Sequence, residues 1–216
     1  MQNVSSSFDT APQRLQDPSN ANSLDLRTFM VTFVSHDVDT KEQPTINGVK
    51  LQPGTILAHN DRVETHDGRV EIRDNLGAIF RLRGNSSFEV GLTEDGYEPV
   101  MDGYVYKFRR GDTPAIAYCG KYVTSCYMCQ FVAVIEPLSD TADRYYSFGT
   151  SNIIFEYDEN GRKFTIAALD EDEYAELHYD SQAPMRQRYV VKNRKRISDD
   201  EFDRITQEYI NDRYWL

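Results

Sequence analysis

Between Gly54 and Val90 apolar and polar residues alternate in short runs, and Asp, Asn or Gly stands at each break. Val70 and Ile72 flank Glu71. Ala78, Phe80 and Leu82 fall on one side and Arg81 and Arg83 on the other. Phe88, Val90 and Leu92 repeat the pattern. Side chains of a strand alternate sides with a period of two, so each run predicts a strand with one buried and one wet face. The breaks are Asp67-Gly68, Asp74-Asn75 with Gly77, and Gly84-Asn85, residue types that accept turn backbone angles. No helix-length crossover fits between these strands. The stretch therefore predicts an antiparallel meander or a short coil of strands, and not a βαβ unit.

The rest of the chain extends this pattern. Residues 1–24 are polar and predict a mobile tail. Arg27 to Val34 reads as the first strand of the core. Val105 and Lys107 alternate with Tyr104, Tyr106 and Phe108. The apolar run Phe131–Ile135, bounded by Pro137, predicts a strand buried on both faces. Ile153, Phe155 and Tyr157 are expected to pair with Phe164, Ile166 and Ala168 through the Asp158-Glu159-Asn160-Gly161 turn. Ala175, Leu177 and Tyr179 give one more strand. After Ser181 the texture becomes basic. Ser198-Asp199-Asp200-Glu201 then fits a capping box, and Phe202, Ile205, Tyr209 and Ile210 recur at helical spacing. The organisation expected is a tail (1–24), an all-β domain (25–180), and a basic arm with one C-terminal amphipathic helix (181–216).

The central stretch resembles the FecR domain. The residues that carry the resemblance are Gly54, Leu57, Asn60-Asp61, Val63-Glu64-Thr65, Val70-Glu71-Ile72, Phe80-Arg81-Leu82 and Asn85-Ser86-Ser87. Asn60 stands where that pattern has glycine, and Asn75-Leu76-Gly77 makes a slightly longer turn. The resemblance continues weakly through Gly111, Tyr122–Cys126 and the hairpins from Ile153 to Leu177. It implies a FecR-like antiparallel β-sandwich or short β-solenoid-like domain that acts by protein contacts in bacterial signalling. Membrane-bound FecR proteins carry a transmembrane segment before this domain and a further signalling subdomain after it.

No run of apolar residues is long enough for a membrane helix, and the N-terminus lacks a basic start and an apolar core. Both point to a cytoplasmic protein without a direct membrane span. The family resemblance points instead to an extracytoplasmic site, periplasmic or at the surface. The formal charge of −11 disfavours general nucleic-acid binding.

Cys119, Cys126 and Cys129 fall close together, the last two as a CxxC. A redox CxxC needs a helix N-terminus, whereas these flanks read as strands. A structural zinc site needs a fourth ligand. Ordinary thiols are expected, with a disulfide or inter-chain cross-link as the alternative. His59, Asp61, His66 and Asp67 surround one strand and are expected as turn residues rather than a metal cluster. His36 and His178 are isolated. The carboxylates Asp170-Glu171-Asp172-Glu173 predict a solvated loop. Arg110-Gly111-Asp112 is read as a turn rather than an adhesion signal.

The basic residues Arg186, Arg188, Lys192, Arg194, Lys195 and Arg196 are the strongest functional candidate: a docking strip for an acidic partner surface, including the 170–173 run of another copy. The plainer alternative is a charged edge strand that blocks sheet-to-sheet pairing. No phosphate loop, nucleophile elbow or zinc-protease motif is present. No cofactor is expected, and no residue is assigned a catalytic or metal role. The expectation is a non-enzymatic protein-interaction module, in signalling or as a scaffold, whose partner is another protein or other copies of itself. The alternative is a self-assembling structural subunit of a multimeric or filamentous assembly, using tail strand exchange and charged strips. A third reading is an enzyme or metal protein built on the 59–67 or 119–129 cluster.

Overall fold

The alternating runs become strands that the chain hands back and forth between two sheets. The computed structural model describes residues 27–35, 42–93, 96–109, 115–119, 122–126, 131–157 and 162–215. Strands β1 (Phe29–Ser35), β2 (Thr45–Ile46), β3 (Val49–Lys50), β4 (Ile56–Leu57) and β5 (Arg62–Glu64) come first. The pairs β6 (Arg69–Asp74) with β7 (Ile79–Leu82) and β8 (Ser87–Thr93) with β9 (Gly96–Asp102) follow, then β10 (Val105–Arg109). The remaining pairs are β11 (Ala115–Cys119) with β12 (Tyr122–Cys126), β13 (Phe131–Ser139) with β14 (Ala142–Ser147), β15 (Asn152–Tyr157) with β16 (Lys163–Leu169), and β17 (Glu173–Tyr179) with β18 (Tyr189–Arg196). The chain is an all-β sandwich of two nine-stranded sheets, ordered β18-β17-β14-β13-β10-β7-β6-β1-β4 and β16-β15-β12-β11-β9-β8-β5-β2-β3. From β4 onward each strand or pair lies in the opposite sheet from the one before it, so both sheets grow in one direction. Among the described residues the pairing is antiparallel except between β9 and β11, where Tyr118 opposes Val100 in parallel.

The sheets pack through their inner faces. Phe29 and Phe80 come from the first sheet and Phe88 from the second. Their rings meet edge to face, with Phe88 centred 5.5 Å from Phe29 and 5.3 Å from Phe80. Val70, Ile72, Leu82, Val90, Met101, Ile154 and Leu169 fill the space around them.

The expected wet face of β6 and β7 is covered at its centre, though Arg73 stays exposed. Glu71 and Arg81 are each 2 % exposed. The reason is the C-terminal segment, which lies across the outer face of the first sheet. Helix α1 (Asp199–Ile205) runs into a wider π-helical turn (Thr206–Ile210) and then a 3-10 turn (Asp212–Tyr214). It buries Ile205, Tyr209 and Trp215 and packs with Tyr106, Val134, Phe148, Tyr146 and Tyr174. The middle of this sheet is therefore covered on both sides. β13 follows the expectation for a doubly buried strand: Ala133 and Ile135 enter the inner core and Val134 the outer cluster. The helix starts where its sequence signature lies, with the Ser198 hydroxyl accepting from the Glu201 N–H at 3.4 Å. The Glu201 carboxylate accepts from that hydroxyl rather than from the Ser198 backbone.

Two expectations are corrected or explained locally. Ile153 opposes Ala168 as expected, but the register shifts between Ile154 and Phe155, so Phe155 opposes Thr165. The extra residue is Ile166 of β16, a bulge on that strand, and Ile154 joins the inner core. Asn60 has φ +67°, the left-handed conformation that glycine adopts freely and asparagine tolerates.

Candidate functional site

β18 is the edge strand of the first sheet and is exposed from Val190 to Arg196. Its register sets Lys192 opposite Glu176, Lys195 opposite Tyr174 and Arg196 opposite Glu173. Five of the six basic candidates divide into two groups. Arg186 lies over the Phe164 ring at 4.4 Å, and Arg188 faces Glu156 at 3.7 Å. Arg194 reaches Glu173 at 2.6 Å and Asp170 at 3.2 Å. The two ends of the acidic 170–173 run are thus engaged by the basic strand of its own chain, while Asp170 and Glu171 stay exposed where β16 turns into β17. The Asp170 N–H and then Arg194 hold the Glu173 carboxyl below the usual carboxylate range. Hydrogen bonds from Arg144 and Asn193 do the same to Glu176. Lys192 and Lys195 project from the strand exposed, in no ion pair among the described residues. Beyond β17, β18 has no strand partner among the described residues.

The outer face under the helix holds a polar network that local sequence patterns did not show. Arg81 donates from Nε to Glu71 at 2.8 Å and from Nη1 to the carbonyls of Tyr209 and Ile210, each at 2.8 Å. Its Nη2 meets Asp212. Glu136 accepts from both Nη atoms of Arg204, at 2.7 and 2.9 Å, and from the hydroxyls of Tyr146 and Tyr209. Burial pushes the Tyr106 and Tyr146 phenols up to about 12 and raises Tyr209 as well. Tyr146 and Tyr209 donate to Glu136, so the network ties the helix to the sheet.

Beside the helix lies an open cleft of about 400 Å³, lined by Tyr106, Phe108, Phe148, Phe202 and Ile210, with Glu171 and Asp172 at its rim. Phe202 belongs to the helical apolar spacing read from the sequence, yet it is 41 % exposed at the mouth of this cleft. A second, smaller hollow of about 210 Å³ shares Tyr106, Phe108 and Ile210 and is bordered by Arg81 and Asp212.

The other candidates are placed as follows. Cys119 opposes Tyr122 and Cys126 opposes Ala115, at opposite ends of one hairpin. Four residues of strand separate the two positions along the ladder, roughly 13 Å, beyond the Cα spacing of a disulfide. Cys129, His36, the 1–24 tail, Arg110-Gly111-Asp112 and Asp158-Glu159-Asn160-Gly161 lie outside the described residues. Asp61 accepts from the Ala58 N–H and the Asn47 amide, both at 2.7 Å. The His59 ring lies 3.1 Å from the Val90 carbonyl, and His66 sits between Thr45 and Glu42. Among the described residues no group of three or more His, Cys, Asp or Glu side chains converges on a point that could hold a metal ion. Nor is any described helix long and apolar enough to cross a membrane. No family model matches the chain, and no similar curated protein or solved structure is found for it.

Proposed function

We propose that the chain is a non-catalytic protein-interaction module whose docking surface is β18, and that its partner there is an acidic, extended segment of another protein. One observation carries this reading: an edge strand of eight residues, exposed along almost its whole length, with one backbone edge open and Lys192 and Lys195 projecting from it. An added strand would take its affinity from main-chain hydrogen bonds and its selectivity from the lysines, which repel basic segments and favour acidic ones. The same lysines discourage β18 from pairing with the β18 of a second copy. The resemblance to the FecR domain supports this reading, since that family works through protein contacts.

The test is hydrogen exchange of the full chain with and without a synthetic peptide of alternating valine and glutamate. Protection gained at the β18 amides, weakened by salt and lost in a Lys192→Glu/Lys195→Glu variant, is the expected result. Unchanged exchange at β18 overturns the reading. Large particles in light scattering of the chain alone would favour the self-assembling subunit instead.

A further inference from the structure

We infer that the open cleft beside the C-terminal helix is a second binding site, and that it takes an arginine side chain presented by a partner polypeptide. It shares no residue with β18. Its walls are aromatic: the Phe148 and Phe202 rings stand 5.4 Å apart at 57°, and Tyr146 stacks behind Phe148 at 6.2 Å. Aromatic faces carry negative potential and attract cations. The rim adds two formal charges of the same sign, Glu171 and Asp172.

Asp172 is fixed in place. It takes the left-handed backbone conformation with φ +57°, its carboxylate accepts from the Gly149 N–H at 3.1 Å, and its carbonyl accepts from the Ile197 N–H at 2.8 Å. The cation that borders the neighbouring hollow, Arg81, is already matched by Glu71 and Asp212. The cleft therefore joins aromatic walls to two acidic groups.

The shape selects among cations. The cleft is open to solvent, so a side chain presented by a polypeptide can enter it while the backbone stays outside. Arginine suits it better than lysine, because a planar guanidinium stacks on a ring while its edge donates to a carboxylate. The chain uses the same stacking within itself, with Arg186 over Phe164 at 4.4 Å and Arg144 over Tyr174 at 5.1 Å.

The experiment titrates the full chain, labelled at its phenylalanines for NMR, with the capped tripeptide Gly-Arg-Gly. Its neutral counterpart carries citrulline, which keeps the shape and removes the charge. The Phe148 and Phe202 ring signals are expected to shift with the arginine peptide, and the citrulline peptide is expected to bind about tenfold more weakly. Phe202→Ala, at an exposed position, and the near-isosteric Glu171→Gln/Asp172→Asn pair are each expected to weaken the arginine peptide several-fold. Emission from the buried Trp215 confirms that each variant keeps its fold. Equal binding of the two peptides, shifts confined to other parts of the chain, or unchanged affinity in both variants overturns the inference. None of these outcomes bears on β18, so the two surfaces stand or fall separately.

Discussion

Arg81 donates from Nη1 to the carbonyl of Tyr209 at 2.8 Å, across 128 positions of sequence. The last carbonyls of a helix have no partner within it and carry partial negative charge, so a cation there satisfies both the hydrogen bond and the field. Here that cation comes from the middle of a strand. β7 thereby caps the segment that covers it.

Removing this side chain leaves Glu71 buried and without one of its guanidinium partners, and leaves the helix carbonyls without a donor. Arg81→Ala is expected to destabilise the chain by about 3–5 kcal/mol, the range for breaking one side of a buried ion pair. The chain has a single tryptophan, Trp215, and the Arg81 guanidinium lies 5.4 Å from its ring centre. Its emission reports helix docking. A red shift at denaturant concentrations where the sheets are still intact by circular dichroism is the expected signature. Coincident transitions with an unchanged midpoint would refute this.

Acid should loosen the same contact. Burial pushes the Glu71 carboxyl up, but hydrogen bonds from Arg81, Arg73 and Thr32 outweigh it and hold the group below its ordinary value. The folded chain then binds this proton less readily than the unfolded chain. Its contribution is fully present above the ordinary carboxylate range and is lost as pH falls through the folded-state value. Glu173 and Glu176 shift in the same direction. Glu71→Gln should therefore be less stable than the parent near neutral pH and show a shallower acid limb, measured as denaturation midpoint against pH. A limb of unchanged slope would remove Glu71 from the account.

The alternating runs around β1, β6 to β8 and β15 to β17 were legible because strand period and turn residues are local signals. So was the helix, through Ser198, Glu201 and the spacing of Ile205 and Tyr209. What the sequence hid was the second cover over β6 and β7. Glu71 and Arg81 sit at the polar positions of alternating strands, and nothing nearby in sequence says that residues 205–215 will lie over them. The parallel β9–β11 pair was hidden too, because the strand between them, β10, belongs to the other sheet. Within the candidate sites, the run of basic residues was visible as composition. Its pairing with 170–173 depended on a turn geometry that composition does not specify.

Gly103 and Gly77 both have positive φ, at +95° and +85°, but differ in what surrounds them. A Cβ at Gly103 would stand 2.5 Å from the Asn85 carbonyl oxygen and 2.7 Å from the Ser86 Cα, whereas one at Gly77 meets nothing within 4 Å. Gly77→Ala should cost about 1 kcal/mol from backbone strain alone. Gly103→Ala should cost clearly more, because two turns must move apart. Equal shifts in melting temperature would show that the turns yield freely.

Asn60 offers a check on the turn that precedes β5. Its N–H donates to the Val90 carbonyl at 2.9 Å, tying the turn to β8. Asn60→Gly should leave stability nearly unchanged, while Asn60→Ala should cost about 1 kcal/mol by chemical denaturation, since alanine resists left-handed backbone. A loss in the glycine variant as large as in the alanine variant would mean that the side chain, and not the backbone angle, matters there.

The hairpin register makes a covalent prediction. Peptide mapping of the oxidised chain without reductant should find no fragment joining Cys119 to Cys126. Such a fragment in monomeric protein would contradict the pairing of β11 with β12.

The sandwich is laid down in chain order, but its outer cover is not. Every strand beneath the C-terminal segment is synthesised before that segment exists, so Tyr106, Val134, Tyr146 and the Glu71–Arg81 pair face solvent while the chain is still emerging. Until the segment docks those side chains lack their cover, and residues 199–215 conceal them once it does.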